Sequence, residues 1–514
     1  MIKSEGKTLP PFSTALYITL GFVAVAGLCT YCHELWRDEY EKWLIAVTSH
    51  SFSQLVYNSR YEGHPILWFW FIYLGTKISQ APEFMQVIHV PIAIASAWII
   101  ARYSPFRVWE KVLLVFGYFF VYEYCVIANN YAPAILCIMI IAVLLRQWQR
   151  YYWAIALLIF LMCNTHLYGA IFGGIVIGYI MLLIWEEGKY TKAELFKLGT
   201  MMAIGIVGVG LLYLQIKPAL NAAGNHKGYV LQDPVSLYEL CRALAKGFDT
   251  YFPISSITTS GSFGVPLVSF FPVYKPVIFV WMIWLAAKYM RDDKPVFLFY
   301  LLGTILLQTM IFINTTAFWR HTGFLYILLI VAIWQYRERG KVAAENKKPD
   351  AFGRWVFTML LVIHAVGGAI AVIKDVVLPF SNIKQAGQYA AKQGYNNVPM
   401  IGMVDYVTVP LTAYTHQPQY LMQSKREQMY MIWDDVRQRD VPPYELAFDR
   451  ADSLAGAGIP LSVVVLSMPR LDALGKIITT GVAGIHSDYK LVHQISTDCI
   501  IGDELYYFYE VRKK

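Results

Sequence analysis

The chain alternates long apolar runs with short polar breaks. A membrane-spanning helix needs about 20 consecutive apolar residues, fewer if it is short and straight. Stretches that meet this are 13–32, 84–102, 111–128, 131–146, 151–164, 167–186, 196–215, 274–290, 295–313, 320–336 and 354–374. The pattern therefore predicts about eleven helical crossings. A twelfth apolar stretch, 65–80, is aromatic-rich (HPILWFWFIYLGTKI) and is read as lying in the interface, with Trp68, Trp70 and Tyr73 at headgroup depth. Residues 41–57 are read as a second interfacial helix, with Trp43, Leu44, Val47, Phe52, Leu55 and Val56 on one face.

Charge orients the array. Lys3 and Lys7, Arg102, Arg107 and Lys111, Arg146 and Arg150, Lys189 to Lys197, Lys288 to Lys294, and Arg337 to Arg354 alternate with nearly uncharged turns. The positive set marks the cytoplasmic side, and the turns ANNYA, CNTHLYG and NTTAFWRH face outward. The loop at 33–63 must then be outside and the one at 102–111 inside. Only one of the two apolar stretches between them, 65–80 and 84–102, can cross; 84–102 is assigned as the crossing, which extends the first outer loop over 33–83. The N-terminus is expected to be a retained helix on the cytoplasmic side.

Composition agrees. Of 514 residues 57% are hydrophobic and only 15% charged, against roughly 25% charged in a soluble domain. A net charge of +8 is spread over loops that set topology, so it gives no nucleic-acid signal. The seven cysteines form no CxxC pair and suggest neither a disulfide framework nor a zinc site.

From about residue 380 the pattern changes. MIGMVDYV and LSVVVLSM read as buried strands, and DELYYFYEVRK as a final alternating strand. IKQAGQYAAKQ, REQMYMIWDDVRQ and ELAFDRADSLAGAG read as helices. The expected architecture is a polytopic α-helical membrane module, 1–379, followed by an outer, periplasmic α/β domain, 380–514. A further outer loop, 216–272, is rich in Gly, Pro, Ser and Thr and suited to a lid.

The chemistry-bearing residues gather on one side. The first outer loop holds Asp38, Glu39, Glu62 and His64. Neighbouring carboxylates raise one another's pKa or hold a divalent cation; Asp38, Glu62 and His64 would be the ligands of an Mg or Mn ion. Glu123 sits in the outer half of an apolar helix, where an acidic residue is costly and marks function. Tyr131 and His166 follow on the next outer turns. Arg320 with His321 can grip a phosphate at headgroup depth, and Lys227 beside His226 is a weaker phosphate candidate. A site open to both bilayer and outer water suits a lipid-linked donor, its phosphate on Arg320 and its transferred group before the carboxylates.

RDE at 37–39 and EGHP at 62–65 resemble the first outer loop of the GT-C superfamily of polyprenyl-phosphate-dependent glycosyltransferases, the dolichyl-phosphate-mannose–protein mannosyltransferase and aminoarabinose transferase branch above all. YEYCVIANNYA (122–132), NTHLYG (164–169) and RHTGF (320–324) are similar to later landmarks. In that family an Arg commonly precedes the final Tyr of the second motif; here Asn129 and Asn130 stand there. The resemblance implies two interfacial helices in the first outer loop, a soluble C-terminal domain, and inverting transfer of a sugar from a lipid phosphate. It implies a base or acceptor-orienting role for Asp38, seconded by Glu39, with Glu123 as the second acidic group. The partners implied are a polyprenyl-(di)phosphate-linked sugar, membrane lipids, and a protein, lipid or glycan acceptor at the outer face of a bacterial inner membrane.

Two other classes fit the pattern less well. A transporter or flippase for a lipid-linked glycan would want charges near the midplane and matched broken helices; such charges are nearly absent, Glu123 excepted. A polymerase or ligase of surface glycans would be expected to carry key arginines in large outer loops, where this chain has an acidic one.

Overall fold

The computed structural model describes residues 11–188, 190–222, 236–256, 261, 263–267, 273–314, 317–340 and 351–514, the side chains of 351–354 excepted. Seven helical stretches among these are long and apolar enough to cross a membrane: Phe12–Cys32, Phe84–Tyr103, Tyr131–Cys163, Leu167–Glu187, Lys192–Ile216, Lys294–Ile313 and Trp355–Val377. The third is a hairpin. A continuous helix of 33 residues would separate its ends by about 50 Å at 1.5 Å per residue. Yet the ring of Tyr131, at its start, lies 4.5 Å from that of His166, just past its end. The chain reverses near Gln147, whose φ/ψ of −126°/44° is not helical, between α7 (Tyr131–Leu144) and α8 (Trp148–Cys163).

The remaining helices are α1 (Phe12–Cys32), α5 (Phe84–Tyr103), α6 (Val108–Val115), α9 (Leu167–Glu187), α10 (Lys192–Ile216), α11 (Leu237–Tyr251), α12 (Tyr274–Met290), α13 (Lys294–Ile313), α14 (Trp319–Arg339) and α15 (Ala351–Val377). Ion pairs collect at one end of the array. Arg337 of α14 forks onto Glu110 of α6 at 2.7 and 2.9 Å, and Arg339 bridges Asp293 and Glu186. These bonds join the basic loops assigned to one face from charge alone.

Four details differ from the pattern-based expectation. Residues 41–57 are two helices, α2 (Arg37–Val47) and α3 (Phe52–Asn58). The polar run TSHS breaks them, and Ser51 caps α3 by accepting from Gln54 N at 3.2 Å. Trp43, Leu44 and Leu55 are therefore buried while Phe52 and Val56 are exposed; they do not share one face. The crossing expected at 111–128 is broken: α6 stops at Val115 and a π-turn spans Phe119–Glu123. Irregular backbone survives inside an apolar array only where protein surrounds it, and residues 117–134 are all buried. The 216–272 segment is not a plain loop, because α11 packs there against α12 and α14. The stretch REQMYMIWDDVRQ is a short strand, Arg426–Gln428, and then irregular chain rather than a helix.

The short apolar helix α4 (Ile66–Thr76) has 11 residues, about 16 Å of rise and half the hydrocarbon thickness. It lies against α2 and α5 and is too short to cross. The C-terminal region forms one sheet ordered β3-β2-β1-β4-β7-β6-β5, with β1 (Met400–Gly402), β2 (Gln419–Leu421), β3 (Arg426–Gln428), β4 (Leu461–Leu466), β5 (Thr480–Val482), β6 (Ser487–Ile495) and β7 (Tyr506–Lys513). β1 runs parallel to β2 and β4; the other pairings are antiparallel. Strand β4 is covered on both faces. Val463 and Val465 join the apolar cluster of α2, α4 and α16 (Ile383–Lys392), while Val464 and Leu466 pack with α17 (Glu445–Gly456). The sheet and the first loop thus share one apolar core. It contains Tyr40, Trp43, Leu44, Trp68 and Phe69 on one side and Met400, Val463, Val465 and Phe508 on the other.

Candidate active site

Helix α2 supplies the centre of the site. Asp38 and Lys42 are four residues apart and so share a face, and Lys42 Nζ donates to the Asp38 carbonyl at 2.8 Å. On that face the Asp38 carboxylate accepts from Arg320 Nη2 at 2.9 Å. Residues 282 positions apart in sequence meet here because α14 begins where α2 lies. Arg320 is held by Trp36 and Phe318, each ring centroid 5.3 Å from its guanidinium carbon. Its Nε and Nη1 are buried and have no partner. A buried guanidinium with open donors is a costly arrangement that an anion relieves.

The carboxylates around this pair differ. Burial pushes the Asp38 carboxyl up, but Arg320, Lys42 and Arg37 more than offset it, and the group is held below the usual range. Glu62 is pushed up to about 7 by burial and by Asp38, against the pull of Lys42. Its Oε1 is buried without a partner. Glu41 is driven well above the carboxylate range by burial and by Glu62 and accepts from the Met431 amide at 2.9 Å. Two acid groups that feel one another's charge are thereby separated into an ionised one and one poised near neutrality.

A wall of rings closes the other side. His64 and His166 are 5.4 Å apart, Tyr131 and His166 4.5 Å, and His166 and His321 5.6 Å. Tyr168 and Phe324 continue the wall. The Phe318 amide donates to His321 Nδ1 at 3.0 Å. In the neutral ring that leaves the proton on Nε2, 2.9 Å from the Tyr131 hydroxyl. The Tyr168 amide likewise donates to His166 Nδ1 at 3.2 Å, which places the His166 proton on Nε2.

Of the residues singled out in the sequence, Asp38, Glu62, His64, Tyr131, His166, Arg320 and His321 are brought into this one region. Glu39 is not. It is turned away from Asp38, and its oxygens accept from Ala128 N at 2.6 Å and Trp36 N at 3.2 Å and lie 3.3 Å from His33 Nε2. It caps α2 and ties it to the segment before α7. Glu123 is buried and accepts from the Tyr118 hydroxyl at 2.7 Å; Tyr118 packs edge-on to Trp319, the neighbour of Arg320, so Glu123 stands behind Arg320. Lys227 and His226 lie outside the described residues. Asp38, Glu62 and His64 do not form a ligand cage. No group of three or more His, Cys, Asp or Glu among the described residues is placed to hold a metal ion. Lys42, which the sequence analysis does not single out, joins the site residues, and its i, i+4 spacing from Asp38 is legible in the sequence. Trp36, an apolar residue beside a charged run, gave no such signal.

No protein-family model matches the chain, and no curated protein sequence does. Among solved structures, the crystal structure of ArnT from Cupriavidus metallidurans bound to undecaprenyl phosphate is similar at 13% sequence identity with a TM-score of 0.46, covering 96% of this chain and 97% of that one.

Proposed function

We propose that the chain is a membrane glycosyltransferase that moves a sugar from a polyprenyl-phosphate-linked donor to an acceptor hydroxyl or amine at the outer face of the membrane. One observation carries the reading. The buried Arg320 guanidinium, clamped by Asp38, keeps two donors unpartnered within the same cluster as a carboxyl poised near neutrality. The first part is an anion grip for the departing phosphate and the second an acid/base group for the acceptor's proton, the two needs of transfer from a phosphate ester.

In this mechanism Arg320 and Lys42 hold the donor phosphate and stabilise the charge it gains on leaving. The acceptor oxygen or nitrogen attacks the anomeric carbon from the opposite side, and the carbon–oxygen bond to phosphate breaks. The lipid phosphate departs with the electron pair, and the acceptor proton passes to a carboxylate. Glu62 is the better proton acceptor, because its pKa lies near working pH. Asp38, held ionised by Arg320, Lys42 and Arg37, fixes Arg320 and orients the acceptor. Burial of the ring wall and Trp36 keeps water from competing.

The test is turnover of a polyprenyl-phosphate sugar by the purified full chain in lipid nanodiscs. Asp38→Asn is expected to abolish transfer while leaving helicity and yield unchanged. Near-normal turnover in that variant removes Asp38 from the mechanism. Uptake of the lipid by sealed vesicles without any covalent product would instead identify a transporter.

A further inference from the structure

We infer that the C-terminal end of α10, through Gln215 and Asn221, positions the half of the site that carries Glu62, His64 and His166. The inference rests on the transferase reading above and adds to it two positioning residues outside the catalytic cluster. It starts from a helix that cannot cap itself. Pro65 is the N-cap residue of α4 and offers no side-chain acceptor to the free amides of the first turn. Other segments supply the caps. The Ile66 amide donates to Gln215 Oε1 at 2.8 Å, and the Leu67 amide donates to the Asn164 carbonyl at 3.3 Å. At its other end the Gln215 amide is also fully engaged. Nε2 donates to Asn164 Oδ1 at 3.0 Å and to the Leu211 carbonyl of its own helix at 2.9 Å. One side chain thus joins α10, the start of α4 and the turn before α9.

What those segments carry gives the joint its role. Glu62, Gly63, His64 and Pro65 directly precede Ile66. Gly63 turns the chain with a φ of 64°, a conformation suited to glycine, so this run is held by its ends rather than by regular structure. Gln215 holds the rear end through Ile66. The same part of the chain holds the front end, because the Tyr61 hydroxyl donates to Asn221 Oδ1 at 2.8 Å, just past α10. Asn221 is in turn fixed to the C-terminal domain, its carbonyl accepting from the Asp435 amide at 2.8 Å. Asn164 precedes His166 by two positions, so the Gln215 link also sets the turn from which His166 enters the ring wall. The phosphate grip hangs on other elements: Asp38 stands on α2 and Arg320 on α14. The site is therefore assembled from two separately supported halves, and α10 brings the proton acceptor to the grip. A misplacement of about 1 Å in such a group costs on the order of 100-fold in rate, whereas binding of a phosphate to Arg320 does not depend on it.

The experiment compares wild type with Gln215→Leu, each as the full chain in lipid nanodiscs. It measures turnover of a polyprenyl-phosphate sugar, the pH profile of that turnover, and equilibrium binding of a bare short polyprenyl phosphate. In the variant kcat is expected to fall ~10-fold or more, while Kd for the bare phosphate stays within ~2-fold of wild type. The acidic limb of the pH profile is expected to move to lower pH. Burial is the main cause that lifts Glu62 to about 7, and a loosened segment admits water that lowers it again. A wild-type kcat with an unmoved limb overturns the inference and leaves the transferase reading standing. Equal losses of kcat and phosphate affinity also overturn it, because a general weakening of the fold produces that pattern. If Gln215→Leu yields no folded protein, Asn221→Ala decides, at an exposed position. The same split, smaller in size, supports the inference, and wild-type kinetics overturn it. Absence of turnover in wild type defeats the transferase reading, and this inference with it.

Discussion

At the residue scale the site separates its acids by environment. Asp38 and Glu62 look equivalent in sequence. In the fold Asp38 has Arg320 at 2.9 Å and stays ionised, while burial lifts Glu62 to about 7. If Glu62 accepts the acceptor's proton it must be ionised, so kcat/KM should fall as pH drops below about 7. Glu62→Gln should lower kcat by ~100-fold or more and remove that acidic limb, as read from a pH–rate profile. A limb that survives the substitution belongs to another group. Arg320→Lys keeps the charge but loses the planar fork. It should weaken binding of the bare lipid phosphate by ~10-fold or more, a change of about 1.4 kcal/mol, measurable by equilibrium binding.

At the scale of elements, α2 is a shared part. One face carries Asp38 and Lys42 into the site. The other is clasped by the C-terminal domain: Arg37 Nη1 to Asp503 at 2.6 Å, the Tyr40 and Tyr414 hydroxyls 2.6 Å apart, and Glu41 to the Met431 amide. The domain thus helps set where Asp38 points. Helix α14 is equally constrained. A Cβ on Gly323 would collide with the Tyr124 hydroxyl and the Phe119 ring, both buried. Gly323→Ala should therefore cost about 1–3 kcal/mol, seen as a lower Tm. Because Arg320 lies one turn away, lipid-phosphate binding should weaken with it. A Tm equal to wild type would show that α14 has room to shift.

At the scale of the whole molecule, the first and last membrane helices are tied by a buried ionic bridge. His33, at the end of α1, lies 2.8 Å from Asp375 of α15 and 3.3 Å from Glu39 of α2, all with buried side chains. Burial lowers the imidazole pKa, but the two carboxylates overcome it and raise it to about 10. A group whose pKa is raised on folding contributes stability that is complete below its unfolded value, near 6.5, and is lost as pH rises through about 10. Thermal stability should decline across that window, and His33→Asn should flatten the decline while lowering Tm near pH 7. An unchanged slope would mean that the bridge does not titrate there. Removing one partner from such a bridge leaves a buried charge, so the variant should lose about 3–5 kcal/mol.

Local pattern alone determined much of this protein. Apolar run length called for a helical membrane array, since only hydrogen-bonded helices of that length suit a bilayer interior. The Lys/Arg bias distinguished two ends, because cations partition to one side. The change of period after residue 380 announced the sheet: LSVVVL became a strand buried on both faces. Sidedness even brought Asp38 and Arg320 to one rim. Tertiary structure alone decided the rest. Whether Asp38 or Glu39 points into the site depends on which way a short helix is rolled, and that roll is fixed by distant partners such as Ala128, Tyr414 and Met431. The break of the 111–128 helix and the short strands β2 and β3 are likewise set by neighbours that surround them. Such contacts reach across hundreds of residues, and no local periodicity records them.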